Sequence, residues 1–261
     1  CGQQQSKVDQ DADAQARHPA KQREDADHPV IQGILEYLSS GKEFEDNSWA
    51  HTIDTNNNYP HADWWHYPYA SWWEDTPANR FATDYNPTAG LAGFILYFAD
   101  TDFYDLAKEV ATEAINQFLM IKDCKEMYVV ACFCRLYDYI AEAGLEAEFP
   151  MEAFEKRLKE VVFQTITQDV NLYITMWDVN ICRPSTFLRA KDSMYYEMNK
   201  NIAEFELEFI AKTQLGDGSW EVTWEWGKSY PAAWGVAKNW WKSKIAIQNL
   251  LYWSGMMDSE E

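Results

Sequence analysis

The chain of 261 residues carries 42 acidic against 22 basic side chains, for a net charge of −20. A surface this acidic repels phosphate backbones, which excludes nucleic-acid binding through a basic face. The 13 Trp, 15 Tyr and 13 Phe supply a core and leave a surplus of rings, and no apolar run is long enough to predict a membrane-spanning helix.

Residues 1–27 are polar and lack aromatic side chains, so they are expected to form a disordered tail. Cys1 followed by Gly2 and a run of Gln is compatible with a lipid-anchored bacterial lipoprotein. That is the alternative; the first expectation is a cytoplasmic protein, because Cys124, Cys132, Cys134 and Cys182 form no CxxC pair and suit buried, reduced thiols.

From Asp27 onward the pattern is helical. Asp27, His28 and Pro29 open a helix through Ile31, Ile34, Leu35 and Leu38 that stops near Gly41. Residues 42–83 form a long connection holding Trp49, Trp64, Trp65, Trp72 and Trp73, a length that points to a functional loop or to short hidden elements. Asn86 and Pro87 start a helix through Leu91, Phe94, Ile95 and Phe98, and another follows over 103–120. The stretch 125–143 is apolar nearly all round and predicts a buried helix. An outer helix starts at Pro150, with Phe154, Leu158 and Val161 on its inner face. Tyr195, Met198, Ile202, Phe205 and Phe209 recur at spacings of three and four.

The last helix, 231–253, is expected to end at Gly255 and carries two apolar sets. One is Trp234, Trp241, Ile245 and Tyr252; the other is Val236, Trp240, Ile247 and Leu251, well over 100° away, so packing is expected on both sides. The strand candidates are 169–177 and 221–226. These elements predict an all-α chain, with residues 28–261 as one domain of inner and outer helices.

Phe209, Ile210, Gln214, Gly218 and Trp220 stand at the spacing of the QW repeat of squalene and oxidosqualene cyclases. Glu45, Asp46, Asn47, Ser48 and Trp49 look like a weaker copy. Together with the runs from Asn58 to Trp65 and from Asp217 to Gly227, Tyr230 with Pro231, and the run from Lys238 to Lys242, the chain resembles the terpenoid cyclase and protein prenyltransferase superfamily. More narrowly, it looks like small bacterial proteins with prenyltransferase and squalene oxidase repeats, whose activity is generally unassigned. The resemblance implies an α/α toroid, a two-layer helical barrel built from hairpins. The DxDD acid of class II cyclases is absent, Asp100 and Asp102 coming closest without an adjacent pair. The DDxxD of class I cyclases and the Asp-x-Cys zinc ligands of prenyltransferases are absent too.

Two constellations carry chemistry. His61, Asp63 and His66, flanked by Trp64, Trp65, Trp72 and Trp73, could act as acid and base, touch a ligand or bind a metal. They could equally cap helices, with the rings as packing. Trp224, Glu225, Trp226 and Tyr230 surround a carboxylate with rings, which suits a carbocation or a sugar, or merely packs the mouth of a barrel. Trp177 and Asp178 could line the same cavity. The expectation is an aromatic cavity for a small molecule, either an isoprenoid-like substrate or a glycan. A non-catalytic toroid that binds a ligand or partner is the third reading. Composition and spacing name no cofactor and no oligomeric state.

Overall fold

The computed structural model of the protein describes residues 26–66, 85–99, 102–175 and 181–257. Among these the chain is mostly helical, as the periodicity predicts. The helices are α1 Pro29–Ser39, α2 Thr88–Phe98, α3 Asp102–Met120, α4 Met127–Ala143, α5 Met151–Thr165, α6 Val170–Thr175, α7 Tyr196–Thr213 and α8 Pro231–Met257. None of the described helices is long and apolar enough to cross a membrane. Two compact units gather these elements. The first takes in the described residues of Cys1–Ala50, Phe81–Ile121 and Cys132–Phe154; the second takes in those of His51–Arg80, Lys122–Ala131 and Glu155–Glu261.

In the first unit, the His28 ring caps α1 by accepting from the Val30 amide, and Pro29 occupies the first turn. The loop that follows hides a hairpin of β1 Phe44–Glu45 and β2 Ser48–Trp49. Asp46 and Asn47 turn it with φ of 50° and 57°, the left-handed pair that a two-residue hairpin needs. The hairpin delivers Trp49 into the core, where the Thr88 hydroxyl at the start of α2 accepts from its amide at 2.9 Å. α2 packs against α3 through Ala89, Ala92, Ile95 and Leu96. Gly93 lets α2 meet α4: a Cβ there would lie 3.0 Å from Leu136 Cα and from the Tyr139 ring. Phe118 stacks on Phe133 at 4.2 Å, and Phe154 meets both edge-on. α4 is buried along most of its length, as expected, with Tyr128, Arg135 and Asp138 reaching solvent. Cys124, Cys132, Cys134 and Cys182 are all buried, and none of them is in a disulfide.

The second unit corrects three expectations. The strand candidate beginning at Asp169 is α6. The Asp169 carboxylate accepts from the amides of Asn171 and Leu172, a helix start that outweighs the alternating pattern. Val170, Leu172 and Ile174 remain 38–49% exposed, while Tyr173 is fully buried. Gly255 does not end α8, which continues to Met257. Its missing side chain instead lets the Arg189 carbonyl close against the helix, where any Cβ would collide. Residues 221–226 pair with no strand, yet their alternation holds: Val222, Trp224 and Trp226 face α8, while Glu221 and Glu225 are exposed.

The turn over 214–220 is built as its residues require. The Gln214 amide donates to the Gly218 carbonyl at 2.9 Å, Leu215 N donates to the Ser219 carbonyl, and Gly218 supplies a φ of 83°. The Trp220 indole donates to the Ile210 carbonyl near the end of α7 at 2.9 Å and is buried. This satisfies one carbonyl that the helix end leaves open.

α7 also brings one charge into the core. Glu206 is 1% exposed. It accepts from the Tyr173 hydroxyl at 2.9 Å, and from the Ser185 amide and hydroxyl at 2.8 Å each. Burial pushes its carboxyl above the usual range, against those hydrogen bonds and the nearby Arg183 guanidinium, which pull the other way.

Candidate functional site

The segment 59–66 lies in the second unit and reaches its shape through backbone ties. Asp54–Asn58 and Asp63–Trp65 are short 3₁₀ turns, the hidden elements of the long connection. Asn56 Nδ2 and the Thr52 hydroxyl both donate to the Trp65 carbonyl, at 2.7 and 3.3 Å. That pair fixes the turn carrying Trp64, Trp65 and His66.

Asp63 is the second tie. Its amide donates to the Trp226 carbonyl at 2.9 Å, and its carboxylate accepts from the Lys228 amide at 3.0 Å. Hydrogen bonds from the Ser229 hydroxyl and the Lys228 amide hold this carboxyl below its usual range. Gly227, at a φ of 89°, makes the approach possible, since a Cβ there would strike the Asp63 carboxylate. Asp63 therefore joins 61–66 to 226–230 and acts as a positioning residue. Its spacing suggested an acid or base, and in the structure its carboxylate is taken up by these hydrogen bonds.

The consequence of that join is the histidine pair. His61 is buried and lies beside the Tyr230 ring, centroid to centroid 5.2 Å. His61 Nδ1 is 2.6 Å from the Tyr59 carbonyl, and His61 Nε2 is 3.1 Å from His66 Nδ1, with the two imidazoles stacked. A carbonyl only accepts, so His61 Nδ1 carries the proton that faces it. In the neutral ring His61 Nε2 is then an acceptor, and His66 Nδ1 donates to it. This leaves the His66 Nε2 lone pair on an exposed ring next to Trp65, which is 44% exposed. The chain Tyr59–His61–His66 thus sets one tautomer and presents a nitrogen acceptor to solvent at His66 Nε2.

The second constellation is arranged differently from its sequence expectation. Trp224 packs edge-on against Trp241 at 5.3 Å, and Trp226 tilts against Trp234 at 5.5 Å. Both rings are half-buried on the cluster of Val222, Trp234 and Ala237. They hold the 221–226 segment to α8, and Glu225 between them points into solvent. Only Tyr230 from this group meets the histidines. Trp72, Trp73, Trp177 and Asp178 lie outside the described residues. Among the described residues, no group of three His, Cys, Asp or Glu side chains is placed to hold a metal ion.

Sequence reasoning missed the parts that make the pair work: the Tyr59 carbonyl, Asn56, and the Lys228–Ser229 amide and hydroxyl. Backbone groups leave no mark in a residue pattern, although Gly227 before Ser229 was a readable sign of a close approach. It also missed Glu206. This residue sits at the apolar register of α7 between Ile202 and Ile210, where a carboxylate signals a buried network. No protein family, curated protein or solved structure matches this chain.

Proposed function

We propose that this is a carbohydrate-directed protein of the α/α-toroid type, with its site on the 59–66 segment. The observation that carries this reading is the tautomer chain, which presents a proton acceptor at His66 Nε2 beside the exposed face of Trp65. A sugar ring stacks on an exposed indole, and its hydroxyls offer the protons that an imidazole can take. Tyr230 and His61 form the floor, and His66 serves as the general base toward a hydroxyl or a water. The QW turn, with Gln214, Gly218 and Trp220 bonded as that repeat requires, supports the toroid arrangement.

An isoprenoid-like substrate is the weaker reading. Trp224 and Trp226, which either reading could have used as walls, are engaged with Trp241 and Trp234, and the exposed Trp65 beside a polar imidazole suits a hydroxyl-bearing ligand better than a hydrocarbon.

The test is titration with defined cello-, xylo- and chito-hexaoses, followed by calorimetry and tryptophan fluorescence, with release of reducing ends measured in parallel. One of the three is expected to bind saturably. Trp65→Ala should weaken that binding at least tenfold, while His66→Ala keeps binding and loses turnover. Binding unaffected by Trp65→Ala refutes the platform. Binding of geranylgeranyl diphosphate in place of every oligosaccharide moves the assignment to the apolar class.

A further inference from the structure

α8 was expected to pack on two sides, and among the described residues it packs on one. Trp234, Ala237, Tyr252 and Met256 are buried, while the opposite face is open. Trp240, Ser243, Ile247, Leu250, Ser254 and Met257 recur at alternating steps of three and four, and every one is exposed. Val236 lies one step before them at 56% exposure, Trp240 is 73% exposed and Ile247 59%. Regular alternation of three and four is the spacing of a coiled-coil seam. Surface helices seldom present it to water without a partner. With Leu251 and Trp253 alongside, the exposed apolar area is on the order of 800 Å², above the ~300–600 Å² of an ordinary monomer's largest patch. That is of the same order as the roughly 800 Å² that each partner brings to a standard stable interface, with the flanking Leu251 and Trp253 at its edges.

We propose that this face is the interface of a homodimer in which two copies of α8 pair antiparallel. The register follows from the sequence of the seam. In an antiparallel pair the two classes of seam position face each other. Placing the two-fold axis midway between Ile247 and Leu250 sets Ile247 against the partner's Leu250. The same placement sets Ser243 against the partner's Ser254 and Trp240 against the partner's Met257. Small residues then meet small and large meet large in every layer, and no seam position carries a charge.

The charge pattern of α8 agrees. The helix contains Lys238, Lys242 and Lys244 and no acidic residue, in a chain whose net charge is −20. Lys238 and Lys242 are turned away to Glu221 at 2.5 and 3.6 Å, and Lys244 lies over the Trp241 ring at 4.5 Å. In this register the two Lys244 stand nine residues apart along the axis, about 13 Å, beyond the screening length at physiological salt. What opposes pairing is the repulsion between two acidic chains, which salt screens. The pairing stands independently of the carbohydrate reading, since no residue of the His61–His66 site lies in the seam.

The experiment is sedimentation velocity of the full chain from 1 to 100 µM, at low and high sodium chloride. The expected result is reversible association to twice the 30.5 kDa chain mass, tightening severalfold as salt rises. Trp240→Glu with Ile247→Glu should abolish the dimer and leave the helical circular dichroism unchanged. In a Cys1→Ser background, Ser243→Cys with Ser254→Cys should give a covalent dimer on mild oxidation, and either substitution alone should not. The Cys pair probes the same register without depending on the Glu variant's folding. A chain that stays monomeric to 100 µM overturns the proposal, as does a dimer unmoved by the Glu pair. Single-Cys variants that cross-link as well as the pair overturn it too. So does a monomer that floats with phosphatidylglycerol–phosphatidylcholine vesicles through Trp240, which would assign the face to a lipid surface.

Discussion

Glu206 offers the sharpest test of the energetics of the second unit. In Glu206→Ala, the Tyr173 hydroxyl and the Ser185 amide and hydroxyl lose their acceptor within a buried site. The Arg183 guanidinium beside them loses its counter-charge. Removing one member of a buried charged network costs about 3–5 kcal/mol. That is a third or more of the ~5–15 kcal/mol holding a typical domain. Glu206→Gln is far milder. Its amide oxygen can keep the Ser185 amide, and its NH₂ can face the Tyr173 and Ser185 hydroxyls, which rotate to accept. The exchange of charged for neutral hydrogen bonds costs about 1 kcal/mol.

The two substitutions also separate by pH. Burial raises the Glu206 carboxyl in the folded state. Its contribution is therefore fully present below the ordinary Glu range and is lost as pH rises through the raised folded value. Guanidinium unfolding of wild type and Glu206→Gln, side by side from pH 4 to 8, isolates this effect. The wild-type advantage should shrink as pH rises, since only the wild type must bury a charge. An advantage that grows with pH would mean that Arg183 and the hydrogen bonds win over burial, and the reasoning would fail. A Glu206→Ala cost below about 1 kcal/mol would show that water replaces the network freely.

Gly227→Ala sets a methyl against the Asp63 carboxylate at a φ that side chains avoid, so about 1–3 kcal/mol should be lost in thermal melts. Asp63→Asn keeps the space but weakens the tie, and should alter the ring environment of Tyr230 in near-ultraviolet circular dichroism without a comparable loss. Gly93→Leu forces α2 off α4 at Leu136 Cα, which is backbone and cannot swing aside, and should destabilise by about 1–3 kcal/mol in urea. Burial, with Glu113 nearby, pushes the Tyr85 phenol up to about 12. Its stabilising contribution is present below the ordinary phenol value of about 10 and is lost as pH rises through 12. Tyr85→Phe should therefore shift the alkaline unfolding midpoint upward, and an unchanged midpoint would place that phenol in solvent.

The helices were legible because their apolar residues recur at helical spacing, and tertiary packing agreed with that spacing from α2 to α5. α6 was misread since six residues with three alternate apolar side chains fit either period. The decision lay with the Asp169 cap and one buried ring, Tyr173. The hairpin at Asp46 and Asn47 escaped because its strands are two residues each, too short for any period. At the candidate site, His61 and His66 were visible as residue types. Their tautomers and placement depend on a carbonyl two residues before His61 and on a glycine in a distant loop, which no local pattern encodes. The roles expected of Trp224 and Trp226 followed from their spacing of two around Glu225; they do share a side, and α8 engages that side.

The indole hydrogen bond of Trp220 also provides a reporter. Its Nε1 proton is buried against the Ile210 carbonyl, so it can reach solvent only when the end of α7 parts from the turn that follows. In a heteronuclear spectrum that one indole signal should persist in deuterated water after those of exposed rings such as Trp240 and Trp253 have vanished. Its lifetime then measures how often the QW turn opens, separately from the unfolding of the chain.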